Sequence, residues 1–518
     1  MLTGVMASPM PSRPRAAPVP QERLHLTSAD RAFARATGAE PIDGNATRLL
    51  LDADENYPAW LAAIRAARSS ILFESYIVDD DEIGREFAAA LAERARANVS
   101  VCVIYDWLGS HGSGALWGLL REAGAQVRGF NPPRFSSPLE WLSRDHRKTI
   151  VVDGTIGFVS GLCVSAKWCG NPGRSLEPWR DTGIELRGPA VRELVAAFAD
   201  VWRACGGPAL PEVAGVPDGP GVRAGDVRVR VVAGEPNETG TYRLDLVIAS
   251  LARQYLWLTD AYFVGTAAYV QALAAAARDG VDVRLLVPGA SDIPVVSAVS
   301  RSGYRPLLDA GVRVYEWDGT MLHAKTAVAD GIWARVGSTN LNFASWTGNY
   351  ELDVAIEDAE FAERMAAQYE ADLARATEIV LTPRNRVRPA EPAAVHDARR
   401  ALSGSAGRAA AGAVSVGSTL GAALTNRRIL GAAEAGLLAR VGAVFIAVAA
   451  IAAAWPQLVA WPLGVLAGWM GLAWMARSYT LRRTPPANPG VRRSTNHDGA
   501  GTEELSDGGG GGARVNDE

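Results

Sequence analysis

Lysine is nearly missing from this 518-residue chain: of 52 basic residues only Lys148, Lys167 and Lys325 are lysines, and the rest are arginines. Where arginine is the default, each compact ammonium group stands out as a candidate for gripping a phosphate. Cysteine is also scarce. Cys102, Cys163, Cys169 and Cys205 match neither a zinc spacing nor a disulfide framework, which excludes a cysteine-stapled scaffold and suits a reducing compartment. The opening "MLTGVMASPMPSRPRAAPVPQ" has no apolar run, so no secretory signal is read there. The formal net charge of −4 says little about partners by itself.

What the chain does have is length for two or more domains and 48% hydrophobic residues to fill their cores. A Pro/Gly-rich stretch at 206–225 divides it, and the segments on either side resemble each other. "ILFESYIV" (71–78) parallels "LWLTDAYFV" (256–264), each ending near a tyrosine, Tyr76 or Tyr262. "ANVSVCVIYD" parallels "DGVDVRLLVP", "AGAQVRGF" parallels "AGVRVYEW", and "DHRKTIVVDG" (145–154) parallels "LHAKTAVADG" (322–331). Strands alternate with Ala-rich helical runs, which predicts βαβ units in mixed, largely parallel sheets covered by helices. Two such lobes are expected to pack about a pseudo-twofold axis that brings one copy of each motif together.

In an extended strand, residues two apart share a face, so His146 projects with Lys148 and His323 with Lys325. Random placement of six histidines and three lysines gives roughly 0.03 H-x-K pairs, so two at matched repeat positions are not accidental. The Asp-Gly pairs at 153–154 and 330–331 read as turns. Beyond the second, "IWARVGSTN" leads to Ser338 and Asn340. Two histidines, two lysines and an asparagine suit a phosphodiester. The lysines and Asn340 bind its non-bridging oxygens, one histidine attacks phosphorus, and the other protonates the leaving oxygen. The lysines supply the positive charge, so neither a metal nor a cofactor is expected.

The doubled H-x-K-x(4)-D-x(6)-G-S-x-N pattern resembles the phospholipase D superfamily, over roughly residues 45–380. The second copy matches at His323, Lys325, Asp330, Gly337, Ser338 and Asn340, and "NYELD" adds Glu351. The first matches at His146, Lys148 and Asp153 but then reads "SGLC", so Cys163 stands where the asparagine belongs. "EPWRDTGIELRGPAV" and "YDWLGSHGS" look like bacterial cardiolipin synthases and their relatives.

The resemblance implies a candidate set of His146, Lys148, Asp153, His323, Lys325 and Asp330, with the two aspartates reading as turn residues. Ser338 and Asn340 are implied phosphate ligands. Asp181, 35 residues after His146, and Glu351, 28 after His323, are implied to orient the histidines through the far ring nitrogens. It further implies transfer of a phosphatidyl group through a phosphohistidine, with His146 as nucleophile and His323 as acid/base, joining two phosphatidylglycerols and releasing glycerol. Either histidine can take either role on sequence grounds. Hydrolysis to phosphatidic acid is the alternative. A nuclease would want a basic groove, and the acidic run "DDDE" (79–82) argues against nucleic acid.

From Val441 to Ala476 no residue is charged. As one helix this stretch would be about 54 Å long against a bilayer core of about 30 Å, and "WPQLVAWP" interrupts it, so a tight membrane hairpin is expected. Arginines flank both ends, which predicts an anchor in a bacterial cytoplasmic membrane with both flanks and the lobes inside. The expected organisation is a flexible segment at 1–44, lobe one at 45–205, a linker at 206–225, lobe two at 226–385, a basic linker at 386–440, the hairpin at 441–476 and a disordered tail at 477–518.

Overall fold

A computed structural model describes residues 30–133, 143–171, 173, 177–210, 222–381 and 387–389, with isolated helical positions between 446 and 475. The expected hairpin at 441–476 and the tail at 477–518 lie outside the described residues, apart from those isolated positions. Among the described residues, no helix is long and apolar enough to cross a membrane.

The chain repeats itself element for element. A short helix, α1 (30–37), comes first. Lobe one then runs β1 (Ile42–Leu51), α2 (Asp52–Ala66), β2 (Ser70–Ser75), α3 (Glu82–Arg96), β3 (Ser100–Asp106), α4 (Gly114–Glu122), β4 (Gln126–Phe130), β5 (Thr149–Val152), β6 (Ile156–Ser160), β7 (Thr182–Arg187) and α5 (Val191–Ala204). Lobe two follows the same order. It runs β8 (Val227–Gly234), α6 (Gly240–Leu251), β9 (Tyr255–Thr259), α7 (Ala267–Arg278), β10 (Asp282–Pro288), α8 (Pro294–Asp309), β11 (Arg313–Trp317), β12 (Thr326–Ala329) and β13 (Trp333–Gly337). Then come α9 (Phe343–Thr347), β14 (Glu351–Glu357), α10 (Ala359–Leu373), β15 (Ala376–Leu381) and β16 (Val387–Pro389).

All the strands form one 16-stranded sheet whose order reads the same outward from the antiparallel β1–β8 pair, with β15 and β16 added beyond β11. The expectation of largely parallel sheets needs correction. Only β2–β3–β4 and β9–β10–β11 are parallel, and each step between these neighbours is a helical crossover, α3, α4, α7 or α8. The later strands of each lobe pair antiparallel; tight turns join β5 to β6 and β12 to β13, while longer segments lead into β7 and β14.

Those two turns hold the Asp-Gly pairs. Asp153 and Gly154 have φ of 52° and 64°, and Asp330 and Gly331 have 52° and 69°, the left-handed pair at the centre of a type I′ turn, here within three-residue loops. Each aspartate also ties the neighbouring strand down. Asp153 accepts from the backbone N–H of Ser69 (2.8 Å) and Ser70 (2.9 Å), and Asp330 from those of Gln254 (2.8 Å) and Tyr255 (3.0 Å). The acidic run 79–82 has local work as well. Asp81 caps α3 by accepting from Ile83 and Gly84 N–H, and Asp79 accepts from the Ser165 hydroxyl.

The segment expected to be flexible up to residue 44 includes α1 and the start of β1. Phe33 of α1 is buried in the core of lobe two and stacks on Trp333 at 6.3 Å, and Arg230 pairs with Asp30. Likewise β16 begins just inside the segment 386–440 expected to be a linker. The central core is shared by the lobes. Leu49, Leu72, Val151, Ile184 and Phe198 pack with Val229, Leu352, Val354 and Ile356 in one apolar cluster. At roughly 1.5–3 kcal/mol for each fully buried aliphatic or phenyl side chain, this cluster holds the lobes together as one body.

Candidate active site

The two H-x-K segments enter β5 and β12 as extended chain, and each is stitched to the opposite lobe. Lobe one supplies the bridge Asp145–Tyr350, in which His146 N–H donates to Tyr350 O (2.9 Å) and Tyr350 N–H to Arg144 O (2.9 Å). Lobe two supplies the matching bridge Arg180–Leu322, in which His323 N–H donates to Arg180 O (2.7 Å) and Arg180 N–H to Met321 O (2.9 Å). The residues that follow Tyr350 and Arg180 are Glu351 and Asp181. The backbone register therefore sets each acid beside the histidine of the other lobe.

The side chains complete that exchange. His146 Nδ1 lies 2.9 Å from Glu351 Oε2, and His323 Nδ1 lies 2.8 Å from Asp181 Oδ2. Sequence proximity paired Asp181 with His146 and Glu351 with His323. The structure pairs them the other way, because the cross-lobe bridges decide which strands are neighbours. With Nδ1 engaged, Nε2 is the nitrogen of each ring that no carboxylate holds.

Both acids are themselves held. Trp168 Nε1 donates to Asp181 Oδ2 (2.9 Å) and Thr182 N–H to Oδ1 (2.8 Å). Ser338 Oγ donates to Glu351 Oε2 at 2.5 Å and accepts from Leu352 N–H at 3.0 Å. Ser338, expected as a phosphate ligand, thus has its hydroxyl hydrogen directed at Glu351. In the first copy Gly161 takes its place, and a Cβ there would lie 2.1 Å from Asp181 Oδ1.

The lysines lie against the histidines. Lys325 Nζ is 3.1 Å from His323 Nε2 and also donates to His323 O, and Lys148 Nζ donates to His146 O. Asn340 is buried, with Nδ2 3.5 Å from Ser345 Oγ and, among the described residues, no hydrogen-bond partner for its Oδ1. Cys163 is buried in the first lobe and feels both Lys148 and Lys325, so it occupies the position matching Asn340 without an amide to offer. Asp153 and Asp330 lie at the far ends of β5 and β12 from the histidines and bond backbone amides there. Neither joins the cluster.

Burial governs the charges. It pushes His146 down to about 4, helped by Lys148 and Lys325 and opposed by Glu351. It pushes His323 down to about 3, helped by Lys325 and Lys148 and opposed by Asp181. Both imidazoles are neutral at pH 7. Lys325 falls to about 8 through burial and the nearby Lys148 charge, against Asp181 and Asp260. Burial would raise Asp181 and Glu351, but their histidines and the lysines hold both below the usual carboxylate range.

Sequence reasoning passed over several neighbours. Tyr76 meets the His146 ring edge-on at 4.9 Å, and Tyr262 meets His323 edge-on at 5.9 Å. Trp168 and Trp179 also pack on His323, at 5.3 and 5.7 Å. The two tyrosines mark the repeat in the sequence, and Trp179 stands two residues before Asp181, so proximity to a motif was the signal available. Among the described residues, no cluster of His, Cys, Asp and Glu fits a metal ion.

Two H-x-K pairs from a duplicated lobe, meeting across one interface with an acid behind each histidine, define a phospholipase D-like fold and site. Residues 247–373, which contain the complete second motif, match the family described as "Cardiolipin synthase, PLD-like domain". Cardiolipin synthase A of Pseudomonas aeruginosa is 36% identical over 362 residues, spanning 69% of this chain and 73% of that protein. The cardiolipin synthase of Geobacillus kaustophilus is 33% identical over 372 residues, spanning 70% and 74%. Phosphatidylserine synthase from Haemophilus influenzae Rd KW20, at 14% identity, shares the fold with a TM-score of 0.53 over 68% of this chain and 91% of its own. The chain belongs to the cardiolipin synthase family and is an enzyme of the phospholipase D superfamily.

Proposed function

We propose that the protein is a phosphatidyltransferase of cardiolipin synthase type, joining two phosphatidylglycerols into cardiolipin and releasing glycerol. The observation that carries this reading is the exchanged pairing of His146 with Glu351 and His323 with Asp181 through Nδ1, with Lys148 and Lys325 each bonded to the backbone of its own motif histidine. The relatives named as cardiolipin synthases support the choice of substrate.

His146 Nε2 attacks phosphorus, forming a P–N bond as the P–O bond to glycerol breaks. His323 delivers a proton to the departing glycerol oxygen. It then removes a proton from the hydroxyl of the second phosphatidylglycerol, which attacks phosphorus, breaks the P–N bond and frees His146. Lys148, Lys325 and Asn340 hold the non-bridging oxygens, where negative charge grows in each transition state. Docking the anionic diester against the buried histidines favours their protonated form, so the substrate itself raises the acid it needs.

The 36 uncharged residues from Val441 to Ala476 support a membrane association at the C-terminal side, which would bring the site to its lipid substrate.

The test uses purified full-length protein with phosphatidylglycerol vesicles. Cardiolipin and free glycerol are the expected products, with a phosphohistidine trapped on acid-free quenching and lost in His146→Ala. Phosphatidic acid without cardiolipin would assign hydrolysis instead.

A further inference from the structure

The proposed mechanism leaves Asp292 unused. Asp292 lies on the loop between β10 and α8, at the C-terminal ends of the parallel strands β9, β10 and β11, where open α/β sheets bind their ligands. Its Oδ1 accepts from the Tyr262 hydroxyl at 2.8 Å. Tyr262 is fixed by its backbone, since Asp260 Oδ2 accepts its N–H (3.1 Å) and Asn342 Nδ2 donates to its carbonyl (3.0 Å). Its ring rests edge-on against His323. Asp292 is therefore linked through Tyr262 to the His323 side of the cluster, the side on which the proposed mechanism handles the leaving and incoming alcohols.

Lobe one faces it. Lys167 and Lys325 both act on the Asp292 charge, and Asp292 acts on the Tyr76 phenol. Lys167 has its ammonium 3.7 Å from Asp79 and 5.7 Å from the Trp179 ring centroid. So the third of the three lysines also lies by the site. Among the described residues, no side chain other than Tyr262 hydrogen-bonds Asp292.

We propose that Asp292, held by Tyr262, receives the head-group hydroxyls of the glycerol that leaves and of the glyceryl acceptor that replaces it, and so selects a neutral polyol head group. A carboxylate here accepts hydrogen bonds from hydroxyls and repels a second phosphate from the same position. An ammonium head group would meet the positive charges of Lys167 and Lys325, which already supply the cations. Water offers one oxygen and gains less from such an acceptor than a polyol does. Asp292 thus sets the partition between transfer and hydrolysis.

This assignment rests on the transfer reaction proposed above, and the experiment separates the two. Wild type, Asp292→Asn, Asp292→Ala and His146→Ala are assayed with phosphatidylglycerol vesicles and with bis(p-nitrophenyl) phosphate, which carries no head-group hydroxyl. One lost hydrogen bond to a charged acceptor is worth roughly 10- to 100-fold, so cardiolipin formation in the Asp292 variants should fall by that factor relative to aryl diester cleavage. KM for phosphatidylglycerol should rise, and the product should shift toward phosphatidic acid. An equal loss on both substrates, or an unchanged cardiolipin to phosphatidic acid ratio, overturns the assignment. A wild-type preference for phosphatidylethanolamine over phosphatidylglycerol overturns the polyol selection. Full activity of His146→Ala on both substrates instead overturns the mechanism, whatever Asp292 does.

Discussion

Glu351 Oε2 lies 2.9 Å from the Nδ1 of His146, a residue 205 positions earlier and in the other lobe. The reciprocal contact joins His323 to Asp181 across 142 positions. Neither lobe therefore holds a complete histidine–carboxylate pair, even though lobe two contains an unbroken motif. Each lobe supplies one histidine and the acid that hydrogen-bonds the other lobe's histidine.

The exchange makes the two acids separable by leaving group. If His323 protonates the departing alcohol, Asp181→Asn removes the group that supports that imidazolium. With phosphatidylglycerol, kcat should fall by roughly 10²–10⁴, the usual worth of general acid catalysis. With a p-nitrophenyl ester, whose departure needs no proton, the loss should be much smaller. Glu351→Gln should slow both substrates alike, since it acts on the attacking ring. The opposite pattern would exchange the roles of His146 and His323.

The buried histidines predict a pH profile with a definite sign. Folded-state values of about 4 for His146 and about 3 for His323 lie below the ordinary 6.5. Between those values and 6.5 the unfolded chain binds more protons than the folded one, so stability is intact above about 6.5 and drains away as pH falls toward 4. Asp181 and Glu351, also held low, add to the loss in the same direction at still lower pH. Buried Glu74, Asp245 and Asp260 are raised to about 7, 6 and 7 and act in the opposite direction over the same range, so the histidine contribution is read as a difference. Between pH 7 and pH 5 the wild type should lose more melting temperature, or gain less, than a His146→Asn, His323→Asn double variant. Parallel profiles would contradict burial of neutral imidazoles.

Gly161 offers a test of geometry with little cost to the fold. A Cβ there would stand 2.1 Å from Asp181 Oδ1, so Gly161→Ala must push the carboxylate away from His323. A displacement on the scale of an ångström costs roughly 10²-fold in rate, so activity should collapse by about that factor while the circular dichroism spectrum stays native. Retained activity would mean that Asp181 does not work from its observed position.

Much of this was readable in the residues. The lysine scarcity and the doubled H-x-K singled out His146, Lys148, His323 and Lys325, and the repeat gave the order of elements in both lobes. The pairing of acids with histidines was not readable. It depends on the parallel bridges Asp145–Tyr350 and Arg180–Leu322, contacts between segments far apart in the chain. The role of Ser338 was hidden for the same reason, since its partner Glu351 comes from the next strand. The extent of antiparallel pairing was not readable either, because β7 and β14 are reached only after residues 161–181 and 338–350, segments too long for a turn motif to set the strand direction. Asp292 lies in a loop with no motif around it, so only its contact with Tyr262 reveals it.

Arg147, between the motif histidine and lysine, ties the lobes together from inside. Its fully buried guanidinium donates to the carbonyls of Glu351 (3.0 Å), Ala197 (2.6 Å) and Gly234 (3.0 Å). It also acts on a buried acid pair. Burial raises Glu74 to about 7 against the pull of Arg147, and raises Asp145 with help from Glu74. Arg147→Met would orphan three carbonyls and leave that pair without its nearest cation. Removing one partner from a buried charge network costs about 3–5 kcal/mol, and urea midpoints should move accordingly. Arg147→Lys should recover only part of the loss, because one ammonium cannot span three carbonyls in the plane of a guanidinium. The control is Arg85→Ala, an exposed pair with Asp80, which should change stability by no more than about 0.5 kcal/mol. Equal midpoints for Arg147→Met and Arg85→Ala would remove Arg147 as the internal tie.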